Sequence, residues 1–182
     1  MNPAPVLSTT RSSVSEFEIT ALILSEHEVF RRDFAALEEM TDTAQLTAAW
    51  EALAARLEVH AVGEEELFYP VLAVEAEDGA EEGKHAVHDH NEIRHAAHAV
   101  AEHEVGSDAW WEAVRTTREV NGDHMAEEET GFLPDFKQNV DAERREELGM
   151  RWLEFHDVHE DAEGLSGEDA DPEEVVTAEP VA

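Results

Sequence analysis

The stretch His60-Ala-Val-Gly-Glu64-Glu65-Glu66-Leu67-Phe68-Tyr69-Pro70 has a partner 64 residues on, His124-Met-Ala-Glu-Glu128-Glu129-Thr130-Gly131-Phe132-Leu133-Pro134. The His, the two acidic residues, the Phe and the Pro coincide. In each copy the His and the first matched Glu are four residues apart, so on a helix they lie nearly above one another, roughly 5 to 6 Å between Cβ atoms. Both copies sit on an apolar stripe. The first runs Leu46, Trp50, Leu53, Leu57, His60, Glu64, Leu67, Val71, and the second Trp110, Val114, Thr117, Asn121, His124, Glu128, Phe132. These steps of three and four are the signature of an amphipathic helix. Polar ligand-type residues therefore occupy positions that should face a core.

Working outward, the segments preceding each copy also match, at an offset of 63: Glu26-His27 against Asp89-His90, and Arg31 against Arg94. The chain reads as two copies of one helix pair. A first helix is predicted from about Glu16 to Met40, with Ser15 and Glu18 as its capping box and Ile23, Phe30, Phe34 and Leu37 inward. Asp42, with Gln45 behind it, caps the second. Glu75 to Gly83 reads as a loop, and a third helix covers about Lys84 to Glu104, with Val87, His90, Ile93, Ala97 and Val100 on its inner face. Gly106 ends it, and Ser107 or Asp108 caps the fourth. Asp141 starts a shorter helix with Leu148, Trp152 and Phe155 on one side, expected to lie across the others.

The expected fold is all-α: a four-helix bundle over residues 15–140, an accessory fifth helix over 141–160, and disordered termini. Residues 1–14 carry Pro, Ser and Thr without periodicity. From Glu160 onward there are nine acidic residues and no basic ones, so residues 161–182 read as a solvated, disordered tail.

Composition narrows the function. With 182 residues and 42% hydrophobic content, the chain holds one compact domain. Its 45 Asp and Glu against 12 Lys and Arg, a formal charge of −33, repel phosphate backbones and anionic headgroups, so nucleic acid and membrane surfaces are excluded as partners. No apolar run approaches the roughly 20 residues of a bilayer span, and no basic segment followed by an apolar one opens the chain, so a cytoplasmic location is expected. The absence of cysteine leaves His and carboxylate as the strong metal ligands.

Six such groups face the expected core: His27, His60, Glu64, His90, His124 and Glu128. Burying them without partners costs roughly 1 to 3 kcal/mol or more for each unsatisfied group. A bound cation removes that cost. Each Glu can bridge two metals while each metal takes two His, for example His27 with His60 and His90 with His124. Imidazole and carboxylate without sulfur suit iron, manganese or zinc, and a six-coordinate preference with open positions points to a pair of non-haem iron ions.

An inward His on the first helix, H-x-x-x-E followed by L-F-Y-P on the second, a His after an acidic residue on the third, and H-x-x-x-E with F-L-P on the fourth together resemble the hemerythrin-like family of HHE cation-binding domains, over roughly residues 16 to 140. The resemblance implies an up-down-up-down bundle with an oxo- or hydroxo-bridged di-iron centre and a small-molecule partner, oxygen, hydrogen peroxide or nitric oxide. Oxygen-carrying members place a second His four residues after the first on the third helix, where this chain has Arg94. They place the last carboxylate five residues after the fourth-helix His, whereas Glu128 is four after His124. These departures favour a sensing or redox role over oxygen carriage.

Other residues read more plainly. His85, His88, His95, His98 and His103 lie off the stripe and are expected on a solvated face, His95 being the candidate exception as a replacement ligand. His156 and His159 are expected at the surface, and Tyr69, half a turn from His60, off the ligand face. Phe30, Phe34, Leu57 and Phe132 are core that governs access to the metals. Gly63 leaves room beside a ligand or is incidental. A ferritin-like site needs E-x-x-H on two helices. Here Glu92 with His95 and Glu82 with His85 share one segment off the stripe, which rules it out. A bundle without metal is the structural alternative. Two functions stay open for the metal-bound form: catalase-like peroxide decomposition, or an oxygen- or iron-sensing module without turnover.

Overall fold

The computed structural model describes residues 17–180. Helix α1, Ile19–Glu38, and α2, Thr43–Leu67, form the first antiparallel pair, joined by a turn too short for any other arrangement. Asp42 caps α2 as expected, accepting from the Gln45 backbone N–H at 3.0 Å. The Ser15 capping-box residue lies outside the described residues. Glu18 precedes α1 and is buried, its carboxylate accepting from Thr20 and pairing with Lys137 and Arg145.

The second helix was expected to continue through Val71, and here the structure differs. Pro70 has no N–H to donate to the preceding turn. The helix stops at Leu67, pivots at Phe68, and restarts as α3, Tyr69–Glu75, with the proline in its first turn. The expected loop up to Gly83 is also shorter, because α4, Gly79–Val100, begins within it. A Cβ at Gly79 would stand 2.0 Å from the Leu72 carbonyl oxygen, so only glycine lets α4 start against α3.

Helix α5, Asp108–Glu127, is capped by Ser107, which accepts from Trp110 N–H at 3.1 Å. It runs into a π-helical turn, Glu128–Phe132, and then α6, Leu133–Asn139, with Pro134 in its first turn. The two matched prolines thus break or widen their helices just beyond the matched glutamates. Such wide turns recur at functional positions in helices. Helix α7, Ala142–Val158, capped by Asp141, packs across α1 and α2 through Leu148, Trp152 and Phe155.

The four long helices form an up-down-up-down bundle. Its core divides into two apolar clusters, one around Phe68, Phe136 and Trp152, the other around Phe30, Trp50, Leu53 and Trp110. Between them lies a polar layer comprising His27, His60, Glu64, His90, His124 and Glu128, all buried.

The acidic segment after Glu160, expected from its composition to stay solvated, folds back over α4. Asn91 exchanges two hydrogen bonds with the Ala170 backbone at 2.9 Å. A short helix α8, Pro172–Thr177, buries Val176 beside Gly83, while Lys84 pairs with Glu173 and His95 with Asp169. A few apolar residues and specific pairs on α4 provide this docking, which an average over composition does not register. No described helix is long and apolar enough to cross a membrane.

Candidate metal centre

Each of the four bundle helices contributes one buried histidine, and α2 and the end of α5 each add a glutamate one turn later. The imidazoles are held from behind. His27 Nδ1 lies 2.9 Å from Glu129 Oε1, His60 Nδ1 2.8 Å from Glu26 Oε2, and His90 Nδ1 2.9 Å from Glu65 Oε1. His124 Nδ1 faces Asp89 Oδ2 at 3.6 Å. Burial pushes the Glu26 and Glu65 carboxyls up, but the hydrogen bonds and charges of their neighbours, His60, His156 and Trp152 at Glu26 and His90 with Arg94 at Glu65, together hold both below the ordinary range. Glu129 is likewise held down against burial, by Arg31 ahead of His27. An ionised carboxylate only accepts. The ring proton of His27, His60 and His90 therefore sits on Nδ1, and Nε2 presents a lone pair inward.

These pairs follow the sequence repeat. Glu26 of α1 supports His60 of α2, as Asp89 of α4 faces His124 of α5. Glu65 supports His90, as Glu129 supports His27. Behind them Arg94 donates two 3.0 Å hydrogen bonds to Glu65, and Arg31 donates to Glu129 at 2.7 Å. The matched arginines are thus engaged with carboxylates that orient the histidines, and neither turns toward the centre to meet a bound anion.

Inside the ring, the Nε2 atoms of His27 and His60 face carboxylate oxygens, and those of His90 and His124 face each other. His27 Nε2 is 3.2 Å from Glu128 Oε2, His60 Nε2 is 3.4 Å from Glu64 Oε1, and the Nε2 atoms of His90 and His124 stand 3.0 Å apart. His27 Nε2, His60 Nε2, Glu64 Oε1 and Glu128 Oε2 are buried and have no hydrogen-bond partner. Each such group costs about 1 to 3 kcal/mol if left so. Ligand atoms of His27, His60, Glu64 and Glu128 all lie within 4.8 Å of one another, as do those of Glu64, His90 and His124. Glu64 belongs to both groups. On the protein's own groups alone the two carboxylates diverge. Burial, then repulsion from Glu128, raises Glu64 well above the usual range, while His124 and His27 hold Glu128 low despite its burial. Burial likewise lowers His90 to about 4. The donor set, all imidazole and carboxylate with lone pairs converging on two adjacent points, fits divalent or trivalent cations of intermediate hardness.

Tyr69 enters this centre contrary to the sequence expectation. Its hydroxyl donates to Glu128 Oε1 at 2.8 Å and lies 3.3 Å from both Glu64 Oε2 and His90 Nε2. Half a turn separates Tyr69 from His60 only on a continuous helix, and the pivot at Phe68 rotates it inward. The Phe68–Pro70 pair in the repeat was the available signal. Trp152 was placed in the fifth-helix core but not at the centre, where its indole N–H donates to Glu26 Oε1 at 2.8 Å. A Cβ on Gly63 would come within 3.1 Å of the Trp152 ring, so the room left by Gly63 is filled by this indole and not by a metal.

Of the off-stripe histidines, His85, His88, His95, His98 and His103 are exposed as expected. His95, the candidate replacement ligand, pairs with Asp169 and does not approach the centre. His156 is half-buried, stacked on Trp152 with ring centroids 4.7 Å apart. Phe30 packs edge-on against His60, centroids 5.0 Å apart, and so borders the site. A cavity of about 560 Å³ between α2 and α4, lined by Trp50, Ala54, Ala61, Ile93 and Ala97, reaches His90.

Residues 18–136 match the family model of the hemerythrin HHE cation binding domain. No curated protein and no solved structure matches the chain.

Proposed function

The chain belongs to the hemerythrin HHE cation-binding family, and from that premise we propose that it binds two non-haem iron ions and uses them on a small molecule such as peroxide, oxygen or nitric oxide. His27 and His60 would hold one ion, and His90 and His124 the other, with Glu64 and Glu128 spanning the pair. The observation that carries this reading is the set of unpartnered, buried lone pairs converging from four helices, with Glu64 shared between two ligand groups. An oxo- or hydroxo-bridged iron pair supplies, when bound, two-electron redox chemistry and Lewis acidity.

The chain's own residues supply the rest. Glu26, Glu65 and Glu129 keep the Nδ1 proton on their histidines and raise the basicity of Nε2. Tyr69 is the protic group at the centre. Burial, followed by the fields of Glu128 and Glu64, raises its pKa well above that of an ordinary phenol. It stays neutral and holds a proton at its hydroxyl oxygen, beside both carboxylates. Phe30 and the apolar clusters above and below exclude bulk water, while the cavity to His90 admits small apolar molecules. Peroxide decomposition is the preferred activity, since it uses a two-electron centre with a nearby proton donor. A sensing module remains the second reading, favoured by the direct link from Asn91, next to His90, to Ala170 in the C-terminal segment.

The decisive experiment is metal analysis and the visible spectrum of protein purified under air. Close to two iron atoms per chain and near-ultraviolet absorption of a bridged di-ferric pair are expected. His60→Ala and His124→Ala should lose most of the metal and His88→Ala should keep it. Equal loss in all three variants would point to the wrong histidines.

A further inference from the structure

One difference between the two halves of the repeat lies behind the carboxylates that face His60 and His124. In the first half the Glu26 carboxylate lies beside a helix, its side chain 26% exposed. Trp152 donates to it, the flanking positions are Leu22 and Gly63, and α7 closes over them. The same positions in the second half are His85, Asp89 and Glu127, by the offsets of 63 and 64 that relate the copies. No helix covers these. His85 and Glu127 are about half exposed, their side chains at 53% and 52%.

These three residues form a ligand set of their own. His85 Nε2 is 2.9 Å from Glu127 Oε2 and 3.8 Å from Asp89 Oδ2, and one ligand atom from each lies within 4.8 Å of the others. Asp89 Oδ2 is also the oxygen that faces His124 Nδ1 at 3.6 Å, too far for a hydrogen bond. His124 Nδ1 is buried and has no hydrogen-bond partner, so a polar atom of the inner centre points at this outer cluster unsatisfied. One carboxylate thus stands between a solvent-facing His–Glu pair and the buried ligand ring.

We propose that His85, Asp89 and Glu127 form a third, solvent-facing site for a divalent cation and that ions load into the buried centre through it. One imidazole and two carboxylates, with water completing the shell, suit a weakly held Fe²⁺ or Mn²⁺. The net charge of −33 concentrates cations around the protein. The open flank allows access, and Asp89 gives an arriving ion a ligand shared with the approach to His124. This inference rests on the buried centre being a metal site.

The test is anaerobic Fe²⁺ binding to the full-length apo-protein, with stoichiometry by equilibrium dialysis and uptake rate by quenching of tryptophan fluorescence, Trp152 lying against His60 with ring centroids 5.5 Å apart. Wild type should bind one weaker ion beyond the buried ones. His85→Ala and Glu127→Gln, both at exposed side chains, should lose that ion, keep the tightly bound ones, and load about tenfold more slowly. His60→Ala should show the reverse, losing buried ions and keeping the weak one. If His60→Ala binds everything that wild type binds, the reading of the buried centre fails. Wild-type stoichiometry or an unchanged uptake rate in His85→Ala and Glu127→Gln overturns the loading site.

Discussion

The Nε2 atoms of His90 and His124 meet at 3.0 Å in the buried layer of the bundle, with the opposite nitrogen of His90 already donating to Glu65. With His90 Nε2 an acceptor, the contact is favourable when His124 holds its proton on Nε2 or when a cation lies between the rings. A neutral His124 that donates from Nε2 turns a bare Nδ1 toward the Asp89 carboxylate 3.6 Å away, a conflict that a cation between the rings relieves by freeing the proton for Nδ1.

From this conflict follows a link between metal and stability. A ligand present at about a thousand times its Kd stabilises the native state by about 4 kcal/mol, and for a chain of this size each kcal/mol moves the midpoint by roughly 2 to 4 °C. Chelated protein should melt about 8 to 16 °C below the iron-loaded form in scanning calorimetry at pH 7. Coincident midpoints would mean that the buried ligands are satisfied without metal.

Tyr69→Phe removes one hydroxyl and keeps the ring packed against Phe68 and His90. Metal content should hold at the wild-type level while peroxide-driven oxygen evolution, followed with an oxygen electrode, falls about 10²-fold, the scale of a lost proton donor. A wild-type rate in this variant would remove Tyr69 from the chemistry. The complete absence of oxygen evolution in wild type, with a reversible oxygenated spectrum, would favour the sensor or carrier reading.

Glu65→Gln acts from behind His90. The amide is a poorer acceptor from Nδ1–H, and its NH2 cannot accept one of the two hydrogen bonds from Arg94, so the imidazole loses both orientation and basicity. Iron affinity in a competition titration with a chelator should drop about 10- to 100-fold, with the helical circular dichroism unchanged. Arg94→Lys should produce a smaller loss, because one ammonium cannot replace a two-pronged contact.

Two buried histidines give the apo-protein's stability a pH dependence of definite sign. Burial depresses the folded pKa of His90 to about 4 and lowers that of His60, so below about pH 6.5 the unfolded chain takes up protons that the folded chain refuses. The stability contributed by keeping these rings neutral is present above pH 6.5 and is lost as pH falls toward 4. His124 and Glu64 work in the opposite sense, since Glu128 and Asp89 outweigh burial at His124 and burial with Glu128 raises Glu64, so the contribution of the two rings is read by difference. Replacing both rings, His60→Phe with His90→Phe, should raise the apo-protein's urea midpoint more at pH 5 than at pH 7, and an equal change at the two pH values would contradict the assignment of neutral His60 and His90.

How much of this was legible before the fold was known depends on the range of the physics. The stripe that carries His60 and Glu64, and its copy with His124 and Glu128, follows from 3.6-residue periodicity, a local property of any helix. The caps at Asp42, Ser107 and Asp141 are equally local, because each side chain reaches a backbone N–H three residues on. The sequence by itself therefore determined four inward-facing helices and which six ligand-type residues they would bury. The partners of those residues are another matter. That Glu26 supports His60, that Glu129 reaches His27, and that Trp152 fills the space over Gly63 are contacts between helices whose relative axial shift and rotation no single-helix periodicity encodes. Tyr69 turns inward because Pro70 interrupts the backbone hydrogen bonds and the chain pivots at Phe68, changing the face that every later residue presents. The C-terminal segment docks because Asn91 and Gly83 on α4 receive Ala170 and Val176, a complementarity set by two distant pieces of chain. Tertiary structure alone decided these, since a contact between remote residues has an energy only after the fold has brought them together.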